Sequence, residues 1–498
     1  MKSINQALVF CCVTLSILIA GCSPSGEDGS KTAGVPDTKT ARDFEPLSLS
    51  ERESELTYSR AYEAVMWAVP VIQSMQIKKE LFEKSGKKNS LGYISGEATG
   101  KMVLPTFNNV SAPVFGNLDL KDGPMVIEFP AASAEGKFFG SIMDVWDSPI
   151  EDFGPAGIDK GKGGKFLLTP PGYKGDVPTV YTQIPCYSYN VHFWLRSIPA
   201  SKGRKGYENA VKYVHKLKVY PLSQARKPVT NWLDLSSVDG YFWGCPLPEK
   251  HDIFALINSY VQEEVVLKEN LVMRGILRML GMEKGKAFSP DRHMREIMNR
   301  AAADAFADME DYLASGKAFV QFWDDASWGA FRITREVLKT RATWNFDTYT
   351  DYYARSRDYS YFAVGVPRHF NPAGGGATFY VNTSTDKDGN PIVGTNNYKL
   401  TVPANVPVRD FWAAIMYSTK YRTYTDSKKF GLSSQDDLQM NADGTVDIYV
   451  GPKPPAGKES NWLGTVEGDG IFIIFRFYGP KKAIFEKTWK LPDFEKIK

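Results

Sequence analysis

The chain has 498 residues, 60 Lys and Arg against 57 Asp and Glu for a formal net charge of +3, and 13% aromatic residues. That small charge is spread along the chain, which argues against the clustered basic face of a nucleic-acid binder. The aromatic content, with 42 Gly and 30 Pro, favours β-structure with many turns over a helical bundle.

The N-terminus has a basic start at Lys2, an apolar run from Ala7 to Ile19, and then Ile19-Ala20-Gly21-Cys22. Small residues before a cysteine, after an apolar run too short to span a bilayer, resemble a lipobox. The alternative is an ordinary signal peptide with an incidental cysteine. The resemblance implies cleavage before Cys22, acylation of that cysteine and a membrane as partner, several acyl chains giving a firm hold. Ser23 follows where lipoproteins kept at the inner membrane tend to carry Asp, so an outer-membrane destination in the bacterial envelope is expected. Residues 1–21 are thus read as a signal peptide. Residues 22–45, rich in Gly, Ser, Thr, Pro and charge, are read as a disordered tether.

Removing the leader leaves about 475 residues, which by size suggests two to four domains. Residues 46–247 are read as an N-terminal helix plus a β-rich domain. The helix opens near Ser50, with Glu53 completing a capping box, and runs through Tyr62, Val65 and Val69 until Pro70 kinks or stops it. Residues 248–375 form a helical connecting region, in which Ser289-Pro290 reads as an N-cap and first turn. Met294, Ile297, Met298, Ala301, Ala305, Met309 and Leu313 then recur at helical spacing, most simply as core. Residues 376–498 form a C-terminal β-rich domain, with Asn441-Ala442-Asp443-Gly444 as a hairpin turn between Leu438 and Val446.

The two β-rich regions echo one another. Ile127-Glu128-Phe129-Pro130 and then Phe138 to Ile142-Met143 match Leu400-Thr401-Val402-Pro403 and then Phe411 to Ile415-Met416. Leu167-Leu168-Thr169-Pro170 matches Ile448-Tyr449-Val450-Gly451, and the apolar runs ending in Arg196 and Arg476 match in turn. The expected fold class is α+β: two related β-sandwich or jelly-roll-like domains joined by a helical segment.

Chemical motifs are sparse. His192, His215, His251, His293 and His369 do not stand near one another at ligand spacing, so no metal is expected. Nucleophile-elbow, zincin, P-loop and dinucleotide signatures are absent, and no cofactor is expected. Asp386-Lys387-Asp388-Gly389-Asn390 starts like a calcium loop but carries Pro391 at the sharp-turn glycine position, and reads as a turn. Asp144 and Trp146 fall on one side of an expected strand, with Asp147 beside them, where carboxylate and indole could hold a sugar or a cation. The bland alternative is a strand end whose acids face water. Arg196 and Arg476 suggest a shared structural role, pairing with a carboxylate at a strand end, or bidentate capture of a carboxylate ligand. Asp358, next to Arg357 and Tyr359, is a further polar candidate. Beyond the leader and Cys22, only Cys186 and Cys245 remain, as one disulfide or as two buried thiols.

From Tyr58 to Leu222, with Asp119-Leu120, Gly123-Pro124, Pro170-Pro171-Gly172-Tyr173 and Tyr220-Pro221-Leu222, the chain resembles the bacterial domain of unknown function 1254. From Tyr398 to Phe494, with Phe411-Trp412, Asn461-Trp462-Leu463, Arg476-x-Tyr478-x-Pro480 and Trp489-x-x-Pro492, it resembles the companion domain of unknown function 1214. Where the family shows Asn-x-Asp-Thr, this chain has Asn108-Asn109-Val110-Ser111. The resemblance implies two β-rich domains with helices between, and no established reaction. The functional expectation is a membrane-anchored lipoprotein with a cleft between the β-domains for a small molecule or saccharide. The alternatives are a carboxylate-dependent hydrolase or lyase using Asp144 and Asp147, and an envelope assembly protein.

Overall fold

The computed structural model describes residues 46–96, 99–315, 317, 319–331, 337, 339–340, 343–362, 368, 378–423 and 429–498. The expected leader (residues 1–21), Cys22, the whole of the expected tether (residues 22–45) and His369 lie outside them. Residues 50–498 form one compact unit.

Helix α1 (Leu49–Ser85) is followed by strands β1 (Leu91–Tyr93), β2 (Met102–Val103), β3 (Ala112–Asp119), β4 (Met125–Phe129), β5 (Gly136–Asp144) and β6 (Pro149–Phe153). Strands β7 (Gly164–Thr169), β8 (Thr182–Pro185) and β9 (Asn190–Pro199) come next. Helix α2 (Gly203–Val214) leads to β10 (Lys218–Pro221), β11 (Trp232–Asp234) and β12 (Phe242–Trp243). Helices α3 (Ile253–Glu263), α4 (Leu271–Met279) and α5 (Arg292–Ala314) make the connecting region. The C-terminal half has β13 (Phe319–Gln321), β14 (Gly329–Phe331), β15 (Thr378–Thr383), β16 (Asn397–Val402), β17 (Val408–Ser418) and β18 (Gly431–Ser433). It ends with β19 (Val446–Gly451), β20 (Trp462–Gly464), β21 (Ile471–Pro480) and β22 (Glu495–Ile497).

The chain is α+β, two β-rich domains with a helical segment between them, and the sheets repeat. The order β11-β1-β3-β9-β5-β6 in the first half has its counterpart in β13-β14-β15-β21-β17-β18, and β10-β4-β7-β8 has its counterpart in β22-β16-β19-β20. One parallel pair recurs, β7 with β8 and β19 with β20, whereas β1 with β11 is parallel and its counterpart β14 with β13 antiparallel. Cross-strand register corrects the sequence alignment in one place. Arg196 lies opposite Phe139 and Arg476 opposite Ala413, so Phe138 corresponds to Trp412 and not to Phe411. A break in the β17 ladder between Val408 and Phe411 inserts the extra residue.

Helix α1 is the spine of the helical layer, and residues 64–77 are buried on every side. Pro70 sits inside it and does not stop it. A proline removes one helical hydrogen bond and frees the carbonyl four residues back. That carbonyl belongs to Met66, and Ser356 Oγ donates to it, while Arg355 Nη2 donates to the Trp67 carbonyl at 2.8 Å. The helix Tyr352–Phe362 therefore repairs the defect from outside. Lys78 pins α1 to the sheet, donating to Asn190 Oδ1 at 2.7 Å and Asp119 Oδ2 at 3.2 Å. The Asp119-Leu120 motif thereby has a structural task.

Three local expectations shift. Helix α5 is capped by Asp291, whose Oδ1 accepts from the Met294 amide at 2.8 Å, two residues after Ser289. Asn441–Gly444 forms a tight turn, with the Gly444 amide donating to the Asn441 carbonyl at 3.0 Å. It introduces β19, which pairs with β16 and β20, and so does not close a hairpin. Finally, β5 ends at Asp144, and Trp146 lies in the turn beyond it.

Candidate functional site

The central strands β9 and β21 are built of apolar and aromatic residues, interrupted by one arginine each. Neither arginine stands at a strand end, and neither pairs with a carboxylate among the described residues, contrary to the expectation for them. Both side chains instead converge on Tyr380 of β15. Arg196 Nη1 donates to Tyr380 Oη at 2.7 Å, and the Arg476 guanidinium lies 4.5 Å from the centre of the Tyr380 ring. The two β-domains thus meet through one phenol held between two cations.

The surrounding contacts fix this geometry. Arg476, 2% exposed, donates through Nη2 to the Thr106 carbonyl at 2.8 Å and to Tyr417 Oη at 2.7 Å. Its Nε meets no acceptor among the described residues. Tyr417 Oη donates to the Phe107 carbonyl at 2.7 Å, and Asn108 Nδ2 donates to Tyr478 Oη. The Asn108-Asn109-Val110-Ser111 segment and the Arg476-x-Tyr478-x-Pro480 segment, far apart in sequence, therefore touch. Thr106 holds a φ of +44°, which a β-branched residue adopts at a cost of about 1–3 kcal/mol. Its amide donates to the Arg422 carbonyl at 2.7 Å and its carbonyl serves Arg476, so the strained residue is clamped on both sides.

The electrostatics are one-sided. A buried cation is ordinarily matched by an acid, yet the charged partners of Arg196 and Arg476 here are tyrosines. Burial pushes the Tyr380 phenol up, but Arg196 and Arg476 outweigh it and hold it down to about 8. Burial also raises Tyr478 and Tyr417. Tyr380 and Arg196 are each only partly buried, which leaves the cationic end of the cluster within reach of solvent.

The other sequence candidates lie elsewhere. Trp146 is a buried anchor of the helical layer, its ring 4.6 Å from Trp67 and 5.3 Å from Tyr260, with the Arg355 guanidinium 4.7 Å from its centre. Asp144 Oδ1 accepts from the amides of Trp146 at 2.8 Å and Ser148 at 3.0 Å, closing the turn. Burial raises its carboxyl to about 6 despite those bonds. Asp147, buried and at a φ of +60°, is paired with His192 Nε2. Ser74 Oγ lies 3.3 Å from His192 Nδ1, which makes a Ser74–His192–Asp147 chain inside the core. Sequence reading missed that chain, although a histidine within the apolar β9 was the available signal. Asp358 lies buried on the helix Tyr352–Phe362.

Cys186 and Cys245 are both free and buried, so the disulfide alternative is not realised. Cys186 belongs to the core of the N-terminal β-domain, and Cys245 accepts from Arg422 Nη2 at 3.4 Å. Among the described residues no group of three His, Cys, Asp or Glu could hold a metal, and no helix is long and apolar enough to cross a membrane.

A family model described as a protein of unknown function (DUF1254) matches residues 89–221, and a second (DUF1214) matches residues 377–482. Arg196 and Asn108 fall in the first match; Tyr380, Tyr417, Arg476 and Tyr478 fall in the second. Among solved structures, the VPA0106 protein from Vibrio parahaemolyticus is 16% identical, over 89% of this chain and 100% of that one, with a TM-score of 0.55. At that identity the likeness concerns fold alone. An uncharacterized protein from Burkholderia cenocepacia is 11% identical over 90% of this chain and 96% of its own, with a TM-score of 0.38, and carries no argument. No curated protein matches the chain. The chain therefore carries an N-terminal DUF1254 domain followed by a C-terminal DUF1214 domain.

Proposed function

We propose that this protein is an envelope lipoprotein, anchored through acylated Cys22, that binds a small anionic molecule where its two β-domains meet. Carboxylate-bearing saccharides belong to the class it would take. One observation carries the reading: Arg196 and Arg476, one from each domain, converge on Tyr380 with no carboxylate partner among the described residues. An incoming carboxylate would supply the missing counter-charge and accept from the partly exposed Arg196 guanidinium, with buried Arg476 adding its charge from behind. Tyr380 would contribute a hydroxyl and a ring face. The lipobox at Ile19–Cys22 supports the anchor, and Ser23 favours the outer membrane over the inner.

The hydrolase or lyase reading draws on the raised Asp144 carboxyl, but Asp144 closes its own turn and Asp147 is occupied by His192. The binding reading therefore has more support.

Thermal unfolding of the mature chain in glucuronate and in glucose, at equal ionic strength, tests it. A ligand present at a hundred times its Kd stabilises the native state by about 2.7 kcal/mol. The acid should raise Tm saturably and the neutral sugar should not. Equal responses to the two, or a glucuronate response undiminished in Arg196→Gln, would count against the site.

A further inference from the structure

Helix α4 presents apolar residues on two opposite faces. Leu277 and Leu280 turn inward and are fully buried. Leu271, Val272, Gly275, Ile276 and Met279, by helical geometry, form a second stripe on the outer side. Leu271 is 54% exposed, Val272 79% and Met279 59%, and a Cβ at Gly275 would meet nothing within 4 Å. Val266, just before the helix, adds another exposed apolar side chain.

Charge selects the occupant. The segment from Lys268 to Lys286 carries five basic residues, Lys268, Arg274, Arg278, Lys284 and Lys286, against only Glu269 and Glu283. Arg274 turns back onto the protein, its Nη2 donating to the Val265 carbonyl at 3.2 Å, and Lys284 donates to the Glu264 carbonyl at 2.5 Å. Glu283 is shared between Arg278 at 3.1 Å and Lys286 at 3.0 Å, so the basic border of the stripe is Lys268, Arg278 and Lys286. An apolar stripe on a short helix bordered by Lys and Arg is the arrangement that lies in the interface of an anionic bilayer.

We infer that α4 docks this protein onto an anionic lipid surface, its outer stripe entering the headgroup boundary while the flanking cations meet lipid phosphates. The inference is independent of the anion site and of acylation at Cys22. It gives a lipid contact that would fix the orientation of the folded body on a membrane.

The test uses the chain from residue 22 with Cys22→Ser, so that no acyl chain contributes, in flotation with phosphatidylglycerol or phosphatidylcholine vesicles. Binding should be several-fold stronger to the anionic vesicles and should weaken with added salt. Val272→Asp with Met279→Asp should cut the bound fraction about tenfold or more. Both positions face solvent, so the variant should keep the parent's unfolding curve. Lys268→Glu with Arg278→Glu should remove the preference for anionic lipid as an independent readout. No flotation with phosphatidylglycerol, or flotation unchanged by the apolar-stripe variant, overturns the inference. So does a parent that is dimeric on size exclusion and becomes monomeric in that variant with flotation unmoved, since a second copy then covers the face.

Discussion

A phenol that ionises about two units below its ordinary value of 10 should be visible directly. Tyr380 is held down to about 8 by Arg196 and Arg476, a preference for the phenolate in the folded protein on the order of a few kcal/mol. Because the folded value lies below the unfolded one, this stability is complete above pH 10 and is lost as the pH falls through 8. In a pH titration of near-ultraviolet tyrosinate absorbance, one of the 25 tyrosines should ionise near pH 8, well before the rest. Tyr380→Phe should remove that step. Arg196→Gln should move it upward, since burial then acts against one cation fewer. A carboxylate bound between the arginines should also move it upward, because a second negative charge opposes the first. If the wild-type and Tyr380→Phe curves superimpose below about pH 9, the cationic clamp on Tyr380 is wrong.

Ser356→Ala should leave the buried Met66 carbonyl without its donor and cost about 1–3 kcal/mol in urea unfolding; an unchanged midpoint would show that Pro70 needs no external repair. The Asp144 carboxyl is raised from 3.8 to about 6, so its stabilising share is present below pH 4 and lost as the pH rises through 6. Asp144→Asn keeps the Oδ1 acceptor and should therefore gain about 1–3 kcal/mol at pH 8 and little at pH 4, whereas a loss at pH 8 would mean the ionised carboxylate is required. Cys186 and Cys245 should resist thiol reagents in the native protein and both react after unfolding without reductant; an unfolded chain in which neither reacts until reductant is added would reveal a disulfide and contradict the fold.

The duplication was legible because it is written in strand-length apolar runs and proline turns, which local physics imposes twice over. Its register was not, since the bulge between Val408 and Phe411 leaves no mark stronger than one extra residue. Arg196 and Arg476 stood out as charges within apolar strands, but their common target did not. Tyr380 looks like any strand tyrosine in sequence, and only the packing of the two domains brings it between them. Asp144 and Trp146 misled for a related reason. Carboxylate beside indole is equally the composition of a turn driven into a helical layer, and the partners that decide between the two, Trp67, Tyr260 and Arg355, are distant in the chain. Pro70 was expected to kink or stop α1, because the donor that compensates it, Ser356, lies in another helix.

The most direct measurement is calorimetric titration of the chain from residue 22 with galacturonate and with galactose, repeated on Arg196→Gln and Arg476→Gln. One saturable site per chain is expected for the acid, none for the neutral sugar, and at least about a tenfold loss of affinity in each variant. Binding of the acid that survives both substitutions would place any anion site away from Arg196, Arg476 and Tyr380.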